Sequence, residues 1–234
     1  MLLLWKNLLI MMGWVNEIEK FDTKEVLTKK QTDYIVNAHN SFRQKFSNGK
    51  VYLNGVQWPQ AKNIYKLTYR KLMASAAQDQ VNSCSFNSNL ARFGQNICIL
   101  DKDDHDDVIE SCFDNWSMSA IRLNPQTDLT FDKNMSLSSN FTQLLWARTT
   151  LIGCGINDCR KNGKDVTIFL CNYFPAGNVL NEQVYEPGRR CVYDEDCNLH
   201  KSSKCEKEGL CSTTHDRVIG DRLPFKIQTE WDEL

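Results

Sequence analysis

Cysteine and histidine are the side chains here best suited to chemistry, and their spacing separates the uses open to them. Four of the ten cysteines fall close together, Cys191, Cys197, Cys205 and Cys211, in the pattern C-x5-C-x7-C-x5-C. Zinc knuckles and ribbons take two close-spaced ligand pairs on tight turns, and no C-x2-C pair occurs anywhere in the chain. The even count and the dense cluster favour disulfides in an oxidising compartment instead. The other six, Cys84, Cys98, Cys112, Cys154, Cys159 and Cys171, allow fifteen pairings, and spacing alone selects none. The histidines, His39, His105, His200 and His215, are scattered, and no G-x-S-x-G elbow offers a hydrolase nucleophile. Asp101, Asp103, Asp104, Asp106 and Asp107 form an acidic run without the central Gly and terminal Glu of a calcium loop. That run reads as a solvated helix start, where negative charge meets the helix dipole. Sequons stand at Asn115, Asn134 and Asn140; Asn134 in a loop is the best glycan acceptor, with Asn115 second.

Composition bounds what these residues can serve. Lys+Arg of 28 against Asp+Glu of 29 leaves a net charge of -1, so no basic face points to nucleic acid. With 41% hydrophobic and 24% charged residues in 234, the chain is globular and long enough for one large domain plus an appendage. Residues 2–15 are the only strongly apolar stretch, broken by Lys6 and Asn7 and too short to span a membrane as a helix. Residues 1–16 read as a secretory signal segment, with a mis-set start or an amphipathic N-terminal segment as the alternative. Residues 17–27 form a charged lead-in. Together with the cysteines, this predicts a secreted, extracellular protein with no membrane span.

The elements that position these residues follow from periodicity. Thr28 with Gln31 resembles a capping box, and Ile35, Ala38, Phe42 and Phe46 make an apolar stripe, predicting a helix over 29–47. Further helices are expected at about 68–83, with Met73, Ala77 and Val81 inward, and about 105–121, with Ile109, Cys112, Trp116 and Ala120 inward. A fourth, about 137–147, would be capped by Ser136 or Ser138 and bury Phe141, Leu144 and Leu145. Then the period changes: 151–159 and 165–174 read as strands joined by a type I′ turn at Asn162-Gly163. The second strand is apolar almost throughout, so both faces of its sheet should be covered. The fold class expected is α+β, a three-layer α-β-α sandwich over 28–185. A small disulfide-stapled module follows at 186–212, and the tail 213–234 shows no pattern beyond an end, Trp231 to Leu234, superficially like a retrieval signal.

The stretch Cys171 to Val179, with Asn140-Phe141-Thr142-Gln143-Leu144-Leu145-Trp146 and Gly153-Cys154-Gly155, resembles the signature stretches of the CAP superfamily. Ala38 to Arg43, Ser75 to Gln78 and Gly94 to Ile97 agree in order. The segment from Tyr185 to Cys211 is similar to the hinge of nematode activation-associated secreted proteins. The resemblance implies secretion and a central cleft with two His and two Glu that can hold a divalent metal. At the corresponding positions this chain carries Ser88, Gln95, Ser119 and Asn140. Hydroxyls and carboxamides neither ligate zinc well nor take a proton near neutral pH. The expectation is therefore no metal, no cofactor and no enzyme: either a neutral hydrogen-bonded cluster or an unused cleft. His39 is expected to be structural. For the disulfides the resemblance implies Cys84–Cys159 and Cys154–Cys171, leaving Cys98–Cys112. The four hinge cysteines pair among themselves, first-with-third and second-with-fourth being one of three arrangements.

Two roles fit a cleft without the tetrad. One is a helminth venom-allergen-like modulator that binds a host extracellular or cell-surface protein through its loops and cleft rim. The other is a lipid carrier, because members of the family hold sterols in a surface loop or fatty acids between helices. Phe131 is the only aromatic between Leu123 and Ser139, where the sterol loop would lie, which weakens the sterol version and leaves the groove between the first and fourth helices for an acyl chain.

Overall fold

The computed structural model describes residues 26–53, 55–85, 93–123 and 129–213. The expected signal segment 1–16, nearly all of the lead-in, Ser88 and the tail after residue 213 lie outside the described residues.

Helix α1 (Lys29–Ser47) starts at a complete capping box: Gln31 N–H donates to Thr28 Oγ1 and Thr28 N–H to Gln31 Oε1. Its inward face is turned from the expected stripe. Ile35, His39, Arg43 and Phe46 are buried, whereas Ala38 and Phe42 are only half-buried. Helix α2 (Lys71–Asn82) begins later than expected, because Thr68 and Tyr69 extend as strand β4 (Thr68–Tyr69), parallel to a central strand. Helix α3 (His105–Met118) passes into a 3-10 turn, Ser119–Arg122. There the Ser119 hydroxyl bonds back to the Trp116 carbonyl at 2.8 Å, a local bond that competes with helix continuation. Asp104 caps α3 and accepts from the Asp106 N–H at 2.9 Å, so the acidic run serves the helix start. Helix α4 is only Ser139–Leu145, preceded by the 3-10 turn Met135–Ser138. Ser138 makes no side-chain cap; its hydroxyl donates to the Ser119 carbonyl at 2.7 Å instead.

The central sheet runs, in order across it, β4, Leu151–Lys161 (β6), Lys164–Phe174 (β7) and Gly94–Asp101 (β5). Strands β6 (Leu151–Lys161) and β7 (Lys164–Phe174) form one long hairpin, turned at Asn162 (φ 50°) and Gly163 (φ 81°), the positive pair a type I′ turn requires. Strand β5 (Gly94–Asp101), which sequence periodicity did not reveal, adds antiparallel to β7 as an edge. Along β7 the faces alternate. Phe169, Cys171 and Tyr173 pack with α1 and α3, while Val166, Ile168 and Leu170 pack with Ala77 and Val81 of α2. Helix α2 rides close on the sheet because β6 has no side chain beneath it at two points. A Cβ on Gly153 would sit 2.3 Å from the Ala74 nitrogen, and one on Gly155 2.6 Å from the Gln78 nitrogen. The result is the α-β-α sandwich with α2 on one side and α1, α3 and α4 on the other.

Five disulfides close within the described residues: Cys84–Cys159, Cys98–Cys112, Cys154–Cys171, Cys191–Cys205 and Cys197–Cys211. The last two staple a small hairpin, β9 (Ser203–Cys205) with β10 (Cys211–Thr213). Numbering in chain order counts four two-residue strands besides β4: β1 (Tyr52–Leu53), β2 (Val56–Gln57), β3 (Ala61–Lys62) and β8 (Glu186–Pro187). The hairpin docks on the sandwich through main-chain bonds from Cys211 N–H to Ile64 and from Lys66 N–H to Cys211, at 2.9 and 2.7 Å. Tyr65 is fully buried against its cysteines.

Candidate functional site

The cleft positions lie around the β5 edge and the two 3-10 turns. Gln95 and Asn96 are neighbours on β5 and so face opposite sides of the sheet. Gln95 Nε2 donates to Gln80 Oε1 on α2 and to Asn172 Oδ1 on β7, both at 2.8 Å. Asn96, fully buried, donates from Nδ2 to the Asn140 carbonyl at 3.0 Å. Asn140 is thus tied to β5 through its backbone, and among the described residues its half-buried side chain has no hydrogen-bond partner. Ser119 is joined to the same region by the Ser138 bond, two residues from Asn140, while its own hydroxyl is turned back on α3. Ser119 and Asn140 are therefore held near one another through their segments, whereas Gln95 bonds to α2 on the other face of the sheet, and the three side chains share no bond among the described residues. Ser88 lies outside the described residues.

Behind the cleft runs a buried polar chain that sequence inspection foresaw only in part. His39 Nδ1 lies 2.7 Å from the Ile35 carbonyl, which can only accept, so Nδ1 carries the proton and Nε2 accepts from Tyr173 O–H at 2.9 Å. Asn96 Nδ2 also reaches the Tyr173 oxygen at 3.4 Å. Burial holds His39 neutral and lowers its pKa to about 3, with the Arg43 charge adding to the effect. Burial likewise pushes the Tyr173 phenol far above its ordinary value. His39 therefore holds structure; it does not transfer protons at physiological pH.

Arg43 is the residue whose importance the sequence concealed. Its guanidinium is fully buried and donates to four carbonyls, those of Leu144, Tyr65, Thr149 and Trp146, at 2.9, 2.6, 3.0 and 2.8 Å. No carboxylate faces it among the described residues. Burial lowers its pKa to about 9, which still leaves the group charged at neutral pH. The end of α4, the start of β6 and the chain before β4 are held together by this one fork. The available signal was its place four residues after His39, on the same face of α1.

Around the cleft mouth, Gln143 accepts from Gly177 N–H at 3.0 Å, and Asn178 bridges the Ser139 carbonyl and Thr142 hydroxyl at 2.8 and 2.6 Å. A Cβ on Gly94 would lie 2.0 Å from Gln143 Oε1, so a side chain there would displace the buried Gln143 amide. The groove foreseen between α1 and α4 is filled: Phe42, Phe46, Trp58 and Phe141 meet edge-to-face with centroids 5.1–6.0 Å apart. A surface cleft lies between α1 and α3 instead, rimmed by Lys30, Asp106 and Glu110. Asn115 and Asn134 are both exposed, and the sequon at Asn140 is half-buried beside a buried Thr142. Cys191, Cys197 and Cys205 bring three sulfurs together, but all three are in disulfides and none is a metal ligand.

The fold has known relatives. A family model for the cysteine-rich secretory protein (CAP) family matches residues 36–173, more than half of the chain. The chain belongs to that family. It is 33% identical over 168 residues to a venom allergen 5 of Dolichovespula arenaria, covering 68% of this chain and 82% of the relative. Among solved structures, BmVAL-1 superposes with a TM-score of 0.68 at 30% identity, covering 81% of this chain and 97% of that one. Na-ASP-1 superposes with a TM-score of 0.72 at 26% identity over 80% of this chain and 46% of that longer one. The domain that carries the cleft is thus the family's own. Among the described residues, no helix is long and apolar enough to cross a membrane.

Proposed function

We propose that this chain is a secreted, non-enzymatic CAP protein of the helminth venom-allergen-like type, which acts by binding a host extracellular or cell-surface protein. The observation that carries the reading is the donor set of the cleft. Gln95, Ser119 and Asn140, with Ser88, offer only neutral amides and hydroxyls where the family resemblance places two His and two Glu. Such groups hydrogen-bond a partner but neither hold zinc nor act as a base near neutral pH. The secreted character is supported by the five disulfides, and the nematode type by the likeness of the hinge. An acyl-chain carrier is less favoured, because the α1–α4 contact is filled by aromatic rings.

The test is affinity capture with the disulfide-intact secreted protein on serum and on leukocyte-surface extracts, with native mass spectrometry of the same preparation. A saturable complex with one host protein, competed by free protein, and a clean mass without zinc are expected. A stoichiometric co-purifying lipid, or zinc bound at one equivalent, would overturn the reading.

A further inference from the structure

Among the described residues, strand β5 closes one side of the central sheet, and its outer edge pairs with no other strand. In the register that pairs Gly94 with Tyr173, the Lys102 N–H donates to the Asp165 carbonyl at 3.2 Å. Bonds to β7 therefore come from the even-numbered residues of β5, and Gln95, Ile97, Ile99 and Asp101 turn their N–H and C=O groups away from the sheet. Among the described residues, only one of these eight groups has a partner: the Ile97 carbonyl accepts from Trp116 Nε1 at a long 3.4 Å. Ile99 is 37% exposed on this edge, unusual for a β-branched residue in the middle of a strand. Long edges with apolar side chains are templates for strand addition, and proteins ordinarily blunt them with lysine, proline or a bulge. Residues 94–101 contain none of these.

We propose that β5 is the dimer interface of this protein, pairing antiparallel with β5 of a second copy to make one continuous eight-stranded sheet. The edge is self-complementary. A two-fold axis through Cys98 sets Ile97 opposite Ile99 and Gln95 opposite Asp101, so all four outward-facing residues find partners and no like charges meet. The layer above tolerates the same symmetry. Cys112 is bonded to Cys98, which brings its exposed neighbour Ser111, small and uncharged, near the axis. The two α3 helices then run antiparallel, so the acidic first turn of one approaches the Asn115 end of the other, away from a second acidic turn. Because Asn115 is a sequon on that helix, pairing requires it to be unmodified. Gln95, a cleft position, becomes part of the interface, which goes beyond host binding and does not depend on it.

The experiment is native mass spectrometry and sedimentation of the full secreted chain, made with and without N-glycans, at about 100 μM, where a dimer with Kd of about 10 μM is mostly assembled. The matched variant is Ile99→Pro. It removes an outward N–H that β7 does not use, a position where an edge strand accepts proline. A dimer in the glycan-free chain, weakened by at least about tenfold in Ile99→Pro, is the expected result, tenfold corresponding to 1.4 kcal/mol. Should the variant misfold, hydrogen exchange of the parent decides: the amides of residues 95, 97, 99 and 101 should gain protection as concentration rises. A monomer in both glycan states, a dimer indifferent to Ile99→Pro, or concentration-independent exchange at those amides overturns the proposal.

Discussion

Acidification should weaken the fold through one residue, His39. It is buried, neutral, and lowered to about 3 from 6.5, because a second positive charge would have to enter an apolar layer that already holds Arg43. In the unfolded chain the same imidazole binds a proton near its ordinary pKa. The native state therefore has full stability from this group above 6.5 and loses it progressively as pH falls towards 3. Between pH 7 and pH 4 the difference spans roughly 2.5 pKa units, which at 1.36 kcal/mol each gives about 3 kcal/mol. Asp158 adds little in that window. Asp158 is lowered to about 2 by the Lys102 and Thr167 hydrogen bonds, so it stays ionised in the folded protein until the pH falls below it. The assay is urea unfolding at pH 7 and pH 4 for the parent and His39→Gln, which cannot take the proton. The variant should be weaker at pH 7, where the imidazole bonds are lost, and flatter in pH. Equal pH dependence in the two proteins would refute the reasoning.

Other outcomes follow from packing and linkage. Arg43→Met should cost about 3–5 kcal/mol in urea unfolding, because four buried carbonyls lose their donor, and Arg43→Lys should recover only part of this since one ammonium cannot reach all four. Gly153→Ala should cost at least about 2 kcal/mol by forcing α2 off the sheet, whereas Gly163→Ala, in open space, should cost only the strain of its turn, about 1 kcal/mol, so the two melting curves separate the mechanisms. Removing Cys84–Cys159, which spans 75 residues, should cost about 4 kcal/mol against about 3 for Cys98–Cys112, which spans 14, when the paired alanine variants are compared by calorimetry. Zinc titration of the parent should show no saturable heat, while Ser88→His, Gln95→Glu, Ser119→Glu and Asn140→His combined should bind one equivalent; heat in the parent would contradict the proposed cleft chemistry.

The parts of the fold that could be read in advance are those with a strong local signal. Thr28 and Gln31 mark the start of α1, and Asn162-Gly163 fixes the hairpin register, because each is a short-range constraint that no distant contact overrides. Strand β5 was hidden because Gly94-Gln95-Asn96 opens it with three residues of low strand propensity, and its pairing is set by β7, more than 60 positions away. The face of α1 was misjudged for a related reason. An apolar stripe is the default inward surface, but here His39 and Arg43 point inward: His39 is satisfied by the Ile35 carbonyl and the Tyr173 hydroxyl on β7, and Arg43 by carbonyls of α4, the loop to β6 and the chain before β4. A buried polar residue is legible only once its partners are known, and those partners are tertiary.

The same distinction separates what the main chain and what the side chains of the cleft positions contribute to the fold. The bonds that join β5, α4 and the loop after β7 are made by Asn96, Gln143 and Asn178, and by the main chain of Asn140 and Ser119. The side chains at the cleft positions contribute little to this scaffold. Asn140 uses its carbonyl, Ser119 bonds within its own helix, and Gln95 alone reaches across, to two neutral amides. Changes at Ser119 and Asn140 unpair no buried side-chain donor or acceptor among the described residues and should cost about the 0.5 kcal/mol ordinary for surface changes, whereas Gln95 also supplies the donor to the buried Asn172 Oδ1. Asn96→Ala is the contrasting case: the Asn140 carbonyl and the Tyr173 hydroxyl each lose a donor, and about 2 kcal/mol should follow. Comparing that variant with Gln95→Ala in one urea series separates the residues that build the cleft from those that only line it. If Gln95→Ala proved the more damaging, the cleft would be part of the scaffold, and its neutral residues would be there for stability and not for a partner.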